Sequence, residues 1–253
     1  MKNLWNENVA EIPTHRARRK VFAALMVFLL LIGASLYMWR LLISQPAEGG
    51  ALKPLRKLLN ANEKLFTATF SEKKLTETYP VRKAATRVRP NGNYGLNTPI
   101  DSTWKLQIVR SQGDTLRLTL DDIKKLPKKE VIFDFKCIEG WSQVTRWGGV
   151  PVKALLEHYH LTGREKDQYV GLCTPDNGYY VGIDMQSFIH PQTILAYEMN
   201  GQPLPLNQGY PLRLIIPVKY GIKHLKRIGT LWFSNEKPPD YWAERGYDYY
   251  AGF

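Results

Sequence analysis

Cysteine is the residue type best equipped for chemistry in this chain, and only two are present, Cys137 and Cys173. Cys137 stands in FKCIEGWSQVTRWGGVP, Phe135 to Pro151, just after the β-branched and aromatic run VIFDF. Gly140, Gly148, Gly149 and Pro151 follow it and break any helix, so the thiol is expected at a strand end opening into a glycine-rich turn. A thiolate held there suits a transition metal as a soft ligand. It could also act as a nucleophile with His158, His160, His190 or His224 as base, although no spacing singles out one histidine. The plain alternative is a small buried hydrophobe, which is also the reading for Cys173 in the apolar run QYVGLC. Two cysteines build no disulfide framework, four-cysteine zinc site or cysteine-ligated iron–sulfur cluster, and no Cys-x-x-Cys-His offers haem attachment. Redox chemistry in this chain therefore requires a borrowed cofactor.

Cys137-Ile138-Glu139-Gly140-Trp141, Trp147-Gly148-Gly149-Val150-Pro151 and PLRLIIPVKYGIKHLKRI from Pro211 to Ile228 occur in this order. Together they resemble the molybdopterin-binding domain of the sulfite oxidase family, most nearly its branch of periplasmic protein-methionine-sulfoxide reductases. The resemblance runs from about Arg89 to near Phe253. It implies a molybdenum-molybdopterin cofactor, expected in its mononucleotide form, with Cys137 as the molybdenum ligand and catalytic residue. By the same resemblance Asn91, Tyr94 and Gly95 match a pterin-contacting loop, Thr174 a hydroxyl contact, and Arg213 a basic cofactor contact. Gln208 stands where relatives carry asparagine, and His224, Leu225 and Lys226 match a three-residue cofactor-holding segment. Gly95 replaces an acidic residue, so any contact there must come from the backbone. Each has an ordinary structural counterpart: Thr174 before Pro175 starts a turn, Asn91-Gly92 is a common turn pair, and Arg213 serves equally as an ion-pair partner. Lys219 and Tyr220 fall near the expected site, as candidates for substrate contact or for a packed loop.

These residues need a sheet to hold them. WKLQIV and TLRLTL flank Ser111-Gln112-Gly113-Asp114, a hairpin signal, and Thr119 with Asp122 forms a capping box for a short helix ending before Pro127. Pro151 starts a helix that turns Leu155 and Leu156 inward. QYVGLC and YYVGI are strands joined through Pro175-Asp176-Asn177-Gly178. TILAYEM, LRLIIP and KRIGTLWFSN add further strands, Asn200-Gly201 makes a turn, and the aromatic tail is expected to fold back on the body. Strands with short helices between them predict an α+β domain. With the resemblance, that is a sulfite-oxidase-type molybdopterin-binding fold of mixed sheets behind one transmembrane helix.

The helix comes from VFAALMVFLLLIGASLYMW, Val21 to Trp39, which is uncharged and, with residues up to Ile43, spans a bilayer. The competing reading is a cleaved signal, but SQPAEGG shows no small-x-small site. Arg18-Arg19 reads either as a basic stop or as an imperfect twin-arginine export signal. The segments expected are a cytoplasmic arm over residues 1–20, an anchor over 21–43, a basic connector over 44–88 and an oxidoreductase domain over 89–253. Leu52, Leu55, Leu58 and Leu59 predict a short amphipathic helix at the lipid surface within the connector.

The net charge of +12 lies almost wholly before Asn97, for from there on 19 Lys and Arg face 17 Asp and Glu. That balance argues against nucleic acid as a partner. The expected location is the inner membrane, single-pass, with the domain on the periplasmic side. The expected partners are membrane lipid, a membrane haem or quinone-linked electron-transfer protein, and a small-molecule or protein-bound oxidised substrate. Reduction of sulfoxide-type substrates is the leading activity. Sulfite oxidation within the same family and a cofactor-free, membrane-tethered binding module are the alternatives.

Overall fold

The computed structural model describes residues 14–97 and 99–253. It divides into two compact units, an N-terminal one comprising α1 with its flank, and a body that holds the rest of the chain. Helix α1 (Thr14–Ile43) is the only described helix long and apolar enough to cross a membrane. Its 30 residues rise about 45 Å, against a hydrocarbon core of about 30 Å. The expected polar arm is not separate from the anchor, since the helix already includes the basic cluster from His15 to Lys20; residues 1–13 of that arm lie outside the described residues.

Two-residue strands β1 (Ala47–Glu48) and β2 (Ala51–Leu52) pair with each other, and helix α2 (Lys53–Thr69) follows. The short helix expected here is therefore 17 residues long, with no proline after Pro54 to stop it until Pro80. Leu55, Leu58 and Leu65 are exposed on it.

The body is built on two five-stranded sheets. The first is β3 (Leu106–Ser111), β4 (Asp114–Leu118), β7 (Tyr169–Cys173), β8 (Tyr180–Asp184) and β12 (Thr230–Ser234), in the order β4-β3-β12-β7-β8. The predicted hairpin is the β3–β4 pair, and β12 runs parallel to β3 and antiparallel to β7. The second sheet holds β5 (Lys129–Lys136), β6 (Ser142–Pro151), β9 (Ile194–Met199), β10 (Gln202–Pro203) and β11 (Arg213–Ile215), all antiparallel. Helix α3 (Leu120–Lys124) carries the expected capping box, with Asp122 N–H donating to Thr119 Oγ1 and Thr119 N–H to the Asp122 carboxylate. Pro151 caps α4 (Val152–His158), which buries Leu155 and Leu156, and Asp184 caps α5 (Met185–Phe188).

Alternation along the second sheet sorts its side chains into two cores. Leu195 and Tyr197 of β9 and Leu214 of β11 join the main core with Leu106, Ile108, Val170, Leu172 and Leu231 of the first sheet. Ile194, Ala196 and Ile215 point the other way, into a smaller cluster with Val131, Phe133, Phe135 and Trp147. Cys137 continues the Val131-Phe133-Phe135 row into that cluster. One expectation is corrected here: Gly148 and Gly149 lie within strand β6, not in the turn. A Cβ on Gly149 would sit 2.1 Å from the Leu195 carbonyl oxygen, so the glycine lets β9 approach at a register shift.

Candidate active site

β5 ends at Lys136, and the next five residues turn the chain into β6. Cys137 N–H donates to the Trp141 carbonyl (2.9 Å), Gly140 N–H to the Cys137 carbonyl (3.1 Å), and Gly140 takes φ +87°, where glycine costs least. A strand thus holds the thiol by its backbone while the sulfur borders a cleft of about 270 Å³. Asn91 and Tyr94 line it from one side, His224 and Lys226 from another, with Ile138 and Glu139 next to the cysteine. Three aromatic residues that motif reasoning missed complete the wall: Tyr179, Trp242 and Tyr247. Only the density of aromatic residues in the tail signalled two of them. A larger cavity of about 560 Å³ borders Trp104, Arg117 and Asp176, but it contains no thiol. Of these two, only the smaller cleft is lined by a thiol.

Asn91, Tyr94, Cys137, His224 and Lys226 therefore come together. Asn91 Nδ2 donates to the Gly221 carbonyl (3.2 Å), and Lys226 Nζ donates to the carbonyls of Gly92 and Asn207 (2.9 Å each). Both ring nitrogens of His224 face backbone: Nε2 the Lys219 carbonyl at 3.1 Å, Nδ1 the Ile216 N–H at 3.5 Å. Burial, reinforced by Arg213, pulls this imidazole down to about 3, so it is neutral at any ordinary pH. Burial also pushes the Cys137 thiol up, against a hydrogen bond from the Glu139 backbone that favours the thiolate.

The other predicted residues stand outside the cleft. Gly95 has φ +71°, and a Cβ there would meet Thr174 Cγ2 at 2.3 Å, so no acidic side chain fits this backbone. Thr174 commits its hydroxyl to the β7–β8 turn, donating to Asp176 (2.5 Å) and accepting from Tyr179 N–H (3.1 Å). Leu225 is fully buried, and its carbonyl accepts from Leu214 N–H. Lys219, a candidate for substrate contact, is buried against Asp184 (2.5 Å) and does not line the cleft, while Tyr220 packs on Phe253.

Arg213 lies fully buried behind the cleft, its guanidinium 4.5 Å from the Trp147 ring centroid. Its Nη1 donates to the backbone and side-chain oxygens of Gln208 (3.0 Å each), and Gln208 Nε2 donates onward to the Val88 carbonyl. Its Nε has no hydrogen-bond partner. Among the described residues no carboxylate pairs with Arg213 or Lys226. Burial lowers the guanidinium to about 9 and, with Arg213 adding repulsion, the ammonium to about 7. Two buried cations, one donor orphaned and no counter-charge make a donor set that fits an anionic group bearing phosphate. The thiol, which borders the cleft that Lys226 also lines, fits a soft metal.

Comparison with known proteins agrees with this chemistry. Residues 95–242 match the family described as oxidoreductase molybdopterin binding domain. YedZ1 of Azospira oryzae, provisionally named a protein-methionine-sulfoxide reductase subunit, is 35% identical over 72% of this chain and 70% of its own. MsrP of Campylobacter jejuni, a protein-methionine-sulfoxide reductase catalytic subunit, is 34% identical over 58% of this chain and 56% of its own. The chain thus spans about half the length of that catalytic subunit. The crystal structure of the sulfane dehydrogenase SoxCD from Paracoccus pantotrophus matches 53% of this chain and 39% of its own, at 19% identity and a TM-score of 0.47. With the family match covering more than half of its length, the chain belongs to the molybdopterin-binding oxidoreductases.

Proposed function

We propose that this chain is a membrane-anchored reductase of sulfoxide-type substrates, with its catalytic domain running from about Arg89 and standing on the periplasmic side. Cys137 is the molybdenum ligand. Arg213 and Lys226 hold the phosphate end of molybdopterin in its mononucleotide form, with Gln208 orienting Arg213. When bound, the cofactor supplies two-electron oxygen-atom transfer at its metal. Metal binding requires the thiolate, so Cys137 gives up the proton that its buried environment retains, and the Glu139 N–H remains to stabilise the sulfur.

The observation that carries the substrate reading is the wall of the cleft. Tyr94, Tyr179, Trp242 and Tyr247 form it, with Tyr94–Trp242 centroids 5.9 Å apart and Trp242–Tyr247 5.0 Å. Of the ionisable side chains lining it, Glu139 is an acid, His224 is neutral, and Lys226, the one cation among the described residues there, is the residue assigned here to the cofactor's phosphate. Arg89 lies over Trp141 and outside that lining. Sulfite is an anion and needs cations at its point of entry. A thioether S-oxide is neutral and carries alkyl groups, which aromatic faces receive well. The balanced reaction takes one sulfoxide, two protons and two electrons to one thioether and one water. The electrons come from a separate haem- or quinone-linked membrane protein, which α1 would keep close by raising its effective concentration.

The test is turnover by the cofactor-loaded full chain in detergent. Reduced viologen should drive reduction of methionine sulfoxide and simple S-oxides, and sulfite with an electron acceptor should give little activity. Robust sulfite oxidation without sulfoxide reduction reverses the assignment. Protease digestion of intact cells and spheroplasts separately reads which side of the membrane the domain occupies.

A further inference from the structure

We propose that Arg56 is a positioning residue that fixes the aromatic wall of the cleft from behind. This rests on the reading that substrate meets that wall.

Arg56 is the one buried residue of α2, only 8% exposed. Its guanidinium donates to four main-chain carbonyls: Glu48 (3.3 Å), Gly49 (2.5 Å), Ala243 (2.8 Å) and Tyr247 (3.1 Å). No carboxylate among the described residues pairs with it. A buried charge satisfied only by backbone oxygens holds geometry more than it adds attraction, because a planar fork fixes the acceptors in one arrangement. Two of those acceptors belong to the turn from Ala243 to Tyr247, which Trp242 and Tyr247 bracket.

The backbones on the two sides interlock. Gly50 has φ +72°, and a Cβ there would sit 2.5 Å from the Glu244 carbonyl oxygen. Gly246 has φ +95°, and its Cβ would sit 2.7 Å from the Gly50 carbonyl oxygen. From the opposite side Asp240, paired with Lys223, accepts from Ala243 N–H (3.0 Å). The turn is thus pinned from two directions, and Arg56 is the pin contributed by the segment that precedes the domain. Tyr247 is 40% exposed, so burial alone does not fix its ring. Removing Arg56 should leave Cys137 and the cofactor cations untouched while letting Trp242 and Tyr247 drift.

The experiment compares the cofactor-loaded full chain with Arg56→Met and Arg56→Lys, using a methyl sulfoxide and reduced viologen. Arg56→Met should raise KM about tenfold and leave kcat within about twofold, the pattern of lost binding common to ground and transition states. Arg56→Lys, with one compact ammonium, should fall between. Molybdenum content should not change. Amide exchange should accelerate over residues 243–247 and stay unchanged over 135–142. Faster exchange with unaltered KM makes Arg56 a structural brace and overturns the proposal, as does unaltered exchange. If Arg56→Met does not fold, Arg56→Lys and Gly50→Ala put the same question. A wild type that oxidises sulfite and ignores sulfoxides sinks the functional reading instead; exchange, with KM for sulfite, then decides on Arg56.

Discussion

The segment from Arg213 to Lys226 buries four cations, and they divide into two pairs with opposite meanings. Lys219 and Lys223 each meet a carboxylate, Asp184 and Asp240, at 2.5 Å, and each lies beside an aromatic ring of the tail, Tyr250 and Tyr249. Arg213 and Lys226 meet only amide and carbonyl oxygens. Burying a charge without a counter-charge costs several kcal/mol. Among the described residues the chain supplies acids for two of these cations and none for the other two, and on the function proposed above the latter are those that meet the cofactor. Burial alone thus does not mark a cofactor contact, and neither does a missing acid, since Arg56 lacks one too; what sets this pair apart is the orphaned Nε of Arg213 and the place of Lys226 on the cleft. The paired lysines tie the aromatic tail to the sheets and have no need of a ligand.

The largest expected effect breaks the compensated pair. Lys223→Met leaves Asp240 buried at 2% exposure with its ammonium gone and the Gly182 carbonyl without that donor. Stability without cofactor should fall by on the order of 3–5 kcal/mol, measured by chemical denaturation of the full chain in detergent. A loss under about 1 kcal/mol would place this pair with the weak surface bridges and erase the contrast.

Arg213→Met makes the complementary test. It removes a charge that the cofactor-free protein cannot neutralise and leaves a thioether against Trp147. Stability without cofactor should hold or rise, while bound pterin, released and quantified, should fall about tenfold or more. Unchanged pterin in this variant and in Lys226→Met would show that the phosphate lies elsewhere. Cys137→Ser separates metal from pterin: a harder oxygen donor should abolish turnover while the pterin signal persists. Turnover near wild type would remove Cys137 from the metal.

Much of this was legible in the sequence because it is local. VIFDF followed by glycines placed Cys137 correctly at a strand end, and the capping box at Thr119, the Gln112-Gly113 hairpin and the turn at Asp176 each depend on a few neighbouring residues. What was not legible depends on contacts between distant segments. Gly148 and Gly149 read as a turn because nothing in their neighbourhood announces that β9 crosses them. The three-residue block His224-Leu225-Lys226 splits three ways: one neutral ring on backbone partners, one core residue and one unpaired cation. Periodicity cannot report which neighbour owns an acid. Arg56 had no motif at all, since its partners are backbone oxygens up to 191 positions away.

The finest test of the contrast is its pH dependence, which has opposite signs in the two forms of the protein. Lys226 titrates at about 7 in the fold, well below its ordinary 10.5. The unfolded chain therefore holds more protons at this site between those values, and stability without cofactor rises with pH across that window. Below about 7 the ammonium is charged in both states and its burial cost is fully present. Phosphate binds the charged form, so cofactor retention should run the other way, greatest below about pH 7 and weakening above it. Arg213, lowered only to about 9, stays charged through neutrality and sets a floor under that decline. Dialysing the loaded protein at pH values from about 6 to about 8, where Arg213 keeps its charge, and quantifying retained pterin should give a falling curve for the wild type. Lys226→Met should give a curve that is lower and flat over the same range. Parallel curves would mean that another group titrates, and that Lys226 belongs with the compensated lysines after all.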